Sequence, residues 1–306
     1  MPDATPSSHS PRGALTATAS FLLWGVLPIY WKQLETLPAF ELISHRVTWS
    51  LLFLLAVLAH RRAFGALRAP FTEARLFGLT LLSSVLLAAN WTIYIWAVIN
   101  NHIIETSLGY FLTPLCNVAL GYLLLRERLR GLQWSAIALA ALGVGLLFFR
   151  VDHVPWIALA LAGTWSSYGI LKKQSALGPL VGLTVETILL APFAVALLAW
   201  LAHTGTGALG RVDAWHEVLL LSAGVVTSVP LLLFADGAQR IRMTTLGLLQ
   251  YLAPTVQFCI GLLLYHEAFD HHELRAYALI WVGLALYSAD GFWAQRRVLL
   301  KVGAAA

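Results

Sequence analysis

From Gly13 onward the chain is a succession of long apolar runs separated by short breaks that carry charge, Pro or Gly. Ten runs are predicted as helical spans: 13–32, 40–60, 76–98, 104–125, 133–149, 154–171, 180–201, 216–236, 244–265 and 273–294. Their length is close to the ~20 residues a helix needs to cross the hydrocarbon of a bilayer. Helix is expected because an open strand would leave its backbone polar groups unpaired in lipid. Most breaks are a few residues long; longer loops are expected at His60–Arg75 and Ala202–Trp215. Met1–Arg12, rich in Pro and Ser, reads as a short disordered tail, and 295–306 as a second tail. Gly13–Trp31 is longer than a signal-peptide core and lacks a small-x-small cleavage site, so it reads as the first span.

The pattern repeats. At an offset of 141 residues Trp24 meets Trp165, Lys32-Gln33 meets Lys173-Gln174, and Pro38 meets Pro179. At 140 residues Pro114 meets Pro254, Gly121 meets Gly261, Glu127 meets Glu267, and Gly143 meets Gly283. Residues 13–149 and 154–294 are therefore expected to be two five-helix units. Five is odd, so the second unit would enter the membrane from the opposite side. The charges agree: Arg126-Glu127-Arg128-Leu129-Arg130 is basic, whereas its counterpart His266-Glu267-Ala268-Phe269-Asp270 is acidic. Inverted repeats of this kind recur among secondary transporters.

Composition supports a membrane protein, with 59% of the 306 residues apolar and 11% charged, against roughly 25% charged in soluble domains. Orientation follows from Lys and Arg. With the N-terminus in the cytoplasm, fifteen basic residues fall on the cytoplasmic side and four on the outer side (Lys32, Arg150, Arg211 and Arg275), with Arg46 left inside a span. Both termini are thus expected to be cytoplasmic. The net charge of +5 belongs to these topology signals, and no nucleic-acid partner is expected. Cys116 and Cys259 lie in apolar runs and match no metal spacing. The excess of Arg over Lys, with abundant Ala, Leu and Gly, points to a GC-rich bacterial genome.

Glu105-Thr-Ser-Leu-Gly-Tyr-Phe-Leu-Thr-Pro114, followed by Leu125-Arg-Glu-Arg-Leu129, resembles the EamA family of the drug/metabolite transporter superfamily. Leu42-Ile-Ser-His-Arg-Val-Thr-Trp-Ser50, Asn90-Trp91 with Trp96-Ala97-Val98 and Asn100-Asn101-His102, and Gln250-Tyr251 before Pro254 are similar to its RarD-like branch. The resemblance implies ten helices in an inverted repeat and a central cavity lined chiefly by spans 1, 3, 4, 6, 8 and 9. It also implies export of small metabolites or drugs, some members moving amino acids. The smallest relatives couple protons through a carboxylate in the first helix; this chain has no Asp or Glu in span 1 or span 6.

Candidate site residues come from polar, aromatic and helix-interrupting positions inside the spans. Pro114 and Pro254 each remove a helical hydrogen bond at matching places in the two halves. Tyr110 precedes the first, and Gln250 with Tyr251 precedes the second. Asn90 and Tyr94 lie in span 3, and Trp24, Trp165 and Tyr168 in spans 1 and 6. Together they are expected to form an aromatic cavity suited to amphipathic or cationic solutes, each aromatic being equally able to serve packing. Ionisable residues in spans are costly and usually functional, so Glu41, His45, Arg46, Glu105, Glu186 and Asp236 are candidates for gating or coupling. Glu105 is the expected partner of Arg46. Glu186 is the favoured proton-coupling carboxylate, because no basic residue lies between Val181 and Ala202. Asp290 and Glu127 read as solvated or capping.

His266-Glu267 with His271 and His272 misses the spacing that puts two imidazoles on one helix face, so no metal is expected. Gly-x-Ser-x-Gly, His-Glu-x-x-His and a P-loop are lacking, so an enzyme is not expected, and no cofactor is. The reading is a secondary transporter of a small-molecule solute in the bacterial inner membrane. An internal repeat suffices for function as a monomer. A scaffold or channel is the alternative, which the inverted halves with interrupted helices disfavour.

Overall fold

A computed structural model describes residues 10–99, 102–148, 154–265 and 271–303. The first nine residues, the junction at 149–153 and the acidic loop 266–270 lie outside them. So do Asn100 and Asn101. The described residues are helical, with no strand among them. The long elements are α1 (Pro11–Lys32), α2 (Ala39–His60), α4 (Ala74–Ile99), α5 (Ile103–Leu123), α6 (Gly131–Phe148), α7 (Trp156–Gln174), α8 (Pro179–Thr204), α9 (Ala214–Arg240) and α12 (His271–Gly303). The loop expected at His60–Arg75 instead holds a single 3-10 turn, Phe64–Leu67, and the short helix α3 (Ala69–Thr72).

Each predicted span falls on a helix, with two adjustments. The run at 244–265 is divided into α10 (Met243–Gln250) and α11 (Leu252–Leu263), because Pro254 has no N–H to offer the Gln250 carbonyl. The last helix continues past 294 to Gly303, so the segment expected as a tail starts out helical. At the other end Ser10 caps α1 by accepting from the Gly13 amide at 3.2 Å, and Pro11 sits where a missing N–H costs nothing. That places Pro11 and Arg12 in the helix and out of the expected tail. Asp213 caps α9 through the Trp215 and His216 amides, and Gly205 (φ 71°) closes α8 in the left-handed conformation.

Seven helical segments are long and apolar enough to cross a membrane, with a shorter apolar stretch at Leu108–Leu123. Large apolar side chains such as Leu123, Leu142 and Phe193 are exposed while Glu41, His45 and Glu186 are buried. That distribution suits a lipid solvent and not water. The chain is a multi-pass membrane protein.

The principal packings run between the two halves and are reciprocal. α6 packs on α12, α2 on α8, and α5 on α10. α1 packs on α9 as α4 does on α7, α2 on α9 as α4 on α8, and α5 on α7 as α1 on α10 and α11. The α6–α12 contact shows the same exchange at atomic detail. A Cβ on Gly143 would lie 2.7 Å from the Ala276 carbonyl oxygen, and one on Gly283 2.6 Å from that of Ala136. All four residues stand at the 140-residue offset.

Hydrogen bonds assign the helix ends. Thr16 reaches Asp236 at 3.2 Å near the start of α1 and the end of α9, and Tyr30 reaches the Leu219 carbonyl near the opposite ends. α1 and α9 are therefore antiparallel. One end of the bundle gathers the start of α1, the ends of α7 and α9 and the start of α10, with Lys173 donating to the Ile241 carbonyl. The other gathers the end of α1 and the starts of α2 and α9, with Glu41 accepting from the Ala208 amide at 2.6 Å.

Candidate solute-binding site

α5, which carries Pro114 inside it, packs on α10, and Pro254 follows in the first turn of α11. Pro114 withdraws the hydrogen bond from the Tyr110 carbonyl and Pro254 that from the Gln250 carbonyl. Tyr110 and Gln250 are themselves repeat equivalents. A Cβ on Gly247 would approach the Pro114 carbonyl to 2.7 Å, so the helices touch backbone to backbone. Asn117 donates to the Gln250 side chain at 2.8 Å, and the Tyr251 hydroxyl to the Phe111 carbonyl at 3.2 Å. Asn90 is spent likewise, donating to the Leu161 carbonyl at 3.0 Å and to Thr164 at 2.9 Å. These bonds join the halves. They leave Asn90, Pro114, Gln250, Tyr251 and Pro254 buried.

Beside this crossing lies an aromatic cluster. Trp24 and Trp165 meet edge to face with centroids 5.4 Å apart, and Phe234 touches both at 5.6 and 5.5 Å. Tyr168 packs on Trp165 and Phe234 with no exposed surface. The Trp165 indole N–H is buried without a hydrogen-bond partner. Of the ten expected cavity residues, only Tyr94 and Tyr110 are substantially open, at 38% and 43% exposure, with Trp24 and Trp165 half-buried. Tyr94 and Tyr110 stack edge to face at 5.9 Å.

Arg46 adjoins that open pair. Its guanidinium carbon lies 4.8 Å from the Trp31 ring centroid and 4.9 Å from that of Trp91, and its Nε donates to Thr227 at 3.1 Å. Tyr94 and Tyr110 are within electrostatic range of it. The expected Arg46–Glu105 pair is not formed. Glu105 stands instead against His102 at 3.3 Å, three residues earlier on its own chain segment. A narrow cleft lined by Trp91, Thr227, Val47 and Leu231 adjoins this site.

The other ionisable candidates are held in separate places. Glu186 accepts from the Ser83 hydroxyl and, at 3.3 Å, from the Tyr168 hydroxyl, and it pairs with Lys172 at 2.6 Å. The expectation that it has no basic neighbour fails, because α7 brings Lys172 to it from outside the interval between Val181 and Ala202. His45 accepts from the Trp49 indole at 3.1 Å and turns its other ring nitrogen toward Glu41 at 3.8 Å. Asp236 is bridged by Thr16 and by Arg240 at 2.8 Å. Asp290 pairs with Arg130 at 2.8 Å. Glu127 caps α10, accepting from the Met243 and Thr244 amides at 2.6 and 3.0 Å and from the Thr244 hydroxyl.

The EamA-like transporter family matches residues 11–149 and 154–289. An "uncharacterized transporter" of Vibrio cholerae is 42% identical over 92% of this chain and 93% of its own. Protein RarD of Escherichia coli is 37% identical over 94% of this chain and 97% of its own. The chain belongs to the EamA-like transporter family, in its RarD-like branch. "Chloramphenicol-sensitive protein RarD" of Pseudomonas aeruginosa is a more distant relative, 30% identical over 95% of this chain and 97% of its own. A solved crystal structure superposes with a TM-score of 0.71, covering 90% of this chain and 96% of its own; at 22% identity that likeness shows the fold.

Within this EamA-like chain the sequence reading missed Lys172, Trp31, Thr227 and Asn117. Lys172 lies beside Lys173 at a span end, where hydropathy marks a topology-setting cation, yet its side chain turns inward to Glu186. Trp31, at a span end, resembles an interfacial anchor. Asn117 alone carried a readable signal: an amide within three residues of a mid-span proline, on the same helix as Tyr110.

Proposed function

We propose that this EamA-like transporter crosses the bacterial inner membrane ten times as two inverted five-span units, 13–149 and 154–294, with both termini cytoplasmic. It moves small metabolites or drugs by alternating access around the space between the halves, without enzymatic chemistry, as a monomer. The reciprocal packing of the halves carries this reading. Where the principal contacts have counterparts under exchange of the units, two conformations that swap the roles of the units have similar energy, and the access path moves across the membrane. The proline-interrupted α5 and α10–α11 are the elements that bend, since each already lacks a backbone bond at its midpoint. In this conformation hydrogen bonds join the halves both at the end that carries Glu127, Asp236 and Lys173 and at the end that carries Tyr30 and Glu41, while Tyr94 and Tyr110 remain open. With positive residues inside, the end that carries Glu127, Asp236 and Lys173 is cytoplasmic.

Reporter fusions after Ala306 and within Ala202–Trp215 should indicate opposite sides of the membrane; the same side for both would refute the ten-span arrangement. Proteoliposomes should take up at least one of a panel of amino acids, organic cations and antibiotics with saturation and with stimulation by internal solute. A flux that rises linearly without counterflow would identify a channel.

A further inference from the structure

Arg46 is a permanent cation inside the bundle, and none of the described residues supplies an anion to it. Glu41, on the same helix, is taken by the Ala208 amide at 2.6 Å and faces His45, and Glu105 faces His102. Among the described residues no carboxylate lies in ion-pair range of Arg46, whose one hydrogen bond comes from Nε. The terminal nitrogens, which make the flat two-pronged face of a guanidinium, therefore meet no acceptor among the described residues. Trp31 and Trp91 hold the group between their rings. Ring faces attract the cation and stiffen it, but they leave its charge in place. An uncompensated charge at this depth is costly, so such residues are retained where a mobile partner completes them.

The fold itself does not require the cation. The repeat equivalent of Arg46 at offset 141 is Thr187, which donates to the Leu183 carbonyl of its own helix. Only one half carries the charge, at a place where Tyr94 and Tyr110 keep 38% and 43% of their surface accessible. A guanidinium fork held by Trp31 and Trp91, with Tyr94 and Tyr110 accessible within its electrostatic range, matches a carboxylate joined to an apolar or aromatic body.

We propose that Arg46 is the anchor for the cargo's anionic group, and that the solute is an organic carboxylate whose apolar body lies against Tyr94 and Tyr110. This deepens the transporter reading and rests on it for the word cargo, although binding can be measured without transport. It also reverses the sequence expectation of a cationic solute at this place.

The test uses purified wild-type protein and two matched probes, phenylacetate and its neutral isostere phenylacetamide, followed by quenching of intrinsic tryptophan fluorescence. Phenylacetate should bind about tenfold or more tightly than the amide, the difference that a charge-assisted two-pronged contact makes. Arg46→Gln should abolish that preference, and Arg46→Lys should restore it in part. Equal affinity for the two probes in the wild-type protein, or an undiminished preference in a folded Arg46→Gln protein, would overturn the proposal. The wild-type comparison stands even if the variants do not fold. Carboxylate binding through Arg46 without counterflow of phenylacetate in proteoliposomes would uphold the anion site and count against transport. Counterflow of other solutes that phenylacetate fails to inhibit would uphold transport and refute the anion site.

Discussion

Breaking the Lys172–Glu186 pair separates two roles for Glu186. The side chains are 5% and 2% exposed and meet at 2.6 Å between α7 and α8. Lys172→Met would leave the carboxylate with the Ser83 and Tyr168 hydroxyls as donors. Removing one member of a buried pair costs about 3–5 kcal/mol, because the remaining charge stays desolvated. The two hydroxyls place this variant at the low end, about 3 kcal/mol. Glu186→Gln should cost about as much, since the ammonium then has only the Tyr168 ring, 5.3 Å from its nitrogen, and one amide oxygen. Lys172→Met combined with Glu186→Gln removes both charges and should fall within about 2 kcal/mol of wild type. The double-mutant cycle should then show a coupling of about 4 kcal/mol or more. Equilibrium unfolding of the purified proteins in mixed micelles with sodium dodecyl sulfate measures all four states. Additive single effects, with Glu186→Gln costing under about 1 kcal/mol, would refute the structural pair. Glu186 would then be free to serve as the proton-coupling group that the sequence favoured, and pH-gradient-driven uptake by Glu186→Gln would become the decisive measurement.

Two further outcomes follow from particular contacts. Glu127→Ala deprives the start of α10 of its acceptor for two amides and a hydroxyl, a loss of about 2 kcal/mol, so amides 243–246 should exchange with deuterium about thirtyfold faster. Unchanged exchange there, measured by mass spectrometry, would show that Glu127 does not hold the two halves together. Gly224→Ala would place a Cβ 2.2 Å from the Trp49 carbonyl carbon, whereas Gly78→Ala meets nothing within 4 Å. The first should destabilise by about 2–3 kcal/mol through forced separation of α2 and α9. The second should be neutral or stabilising by up to about 1 kcal/mol in the same unfolding assay, and the reverse order would refute that close approach.

The positions of the helices were legible in the chain itself. In lipid a helix satisfies its own backbone, so a run of apolar residues of sufficient length settles its own secondary structure without reference to a partner. Proline interruptions are local in the same sense, and Pro254 divides the ninth run where its missing N–H says it should. The membership of the EamA-like family was carried by short contiguous motifs, again a local property. Side-chain partners were another matter. Depth in the membrane makes Glu105 the expected partner of Arg46, but depth constrains one coordinate, and rotation about the helix axis directs Glu105 to His102 and Arg46 to Trp31 and Trp91. Glu186 has no basic residue on its own helix between Val181 and Ala202, while Lys172 reaches it from the neighbouring one. Tyr168 and Tyr251 read as cavity aromatics and are fully buried, whereas Tyr94 and Tyr110 are open. Hydropathy does not separate a ring packed between helices from a ring facing a space between them, because both are apolar surroundings for most of the side chain. Which charges are paired, and which aromatic faces stay free, is decided by how the helices are rotated and packed against one another, and that depends on contacts between residues far apart in the chain.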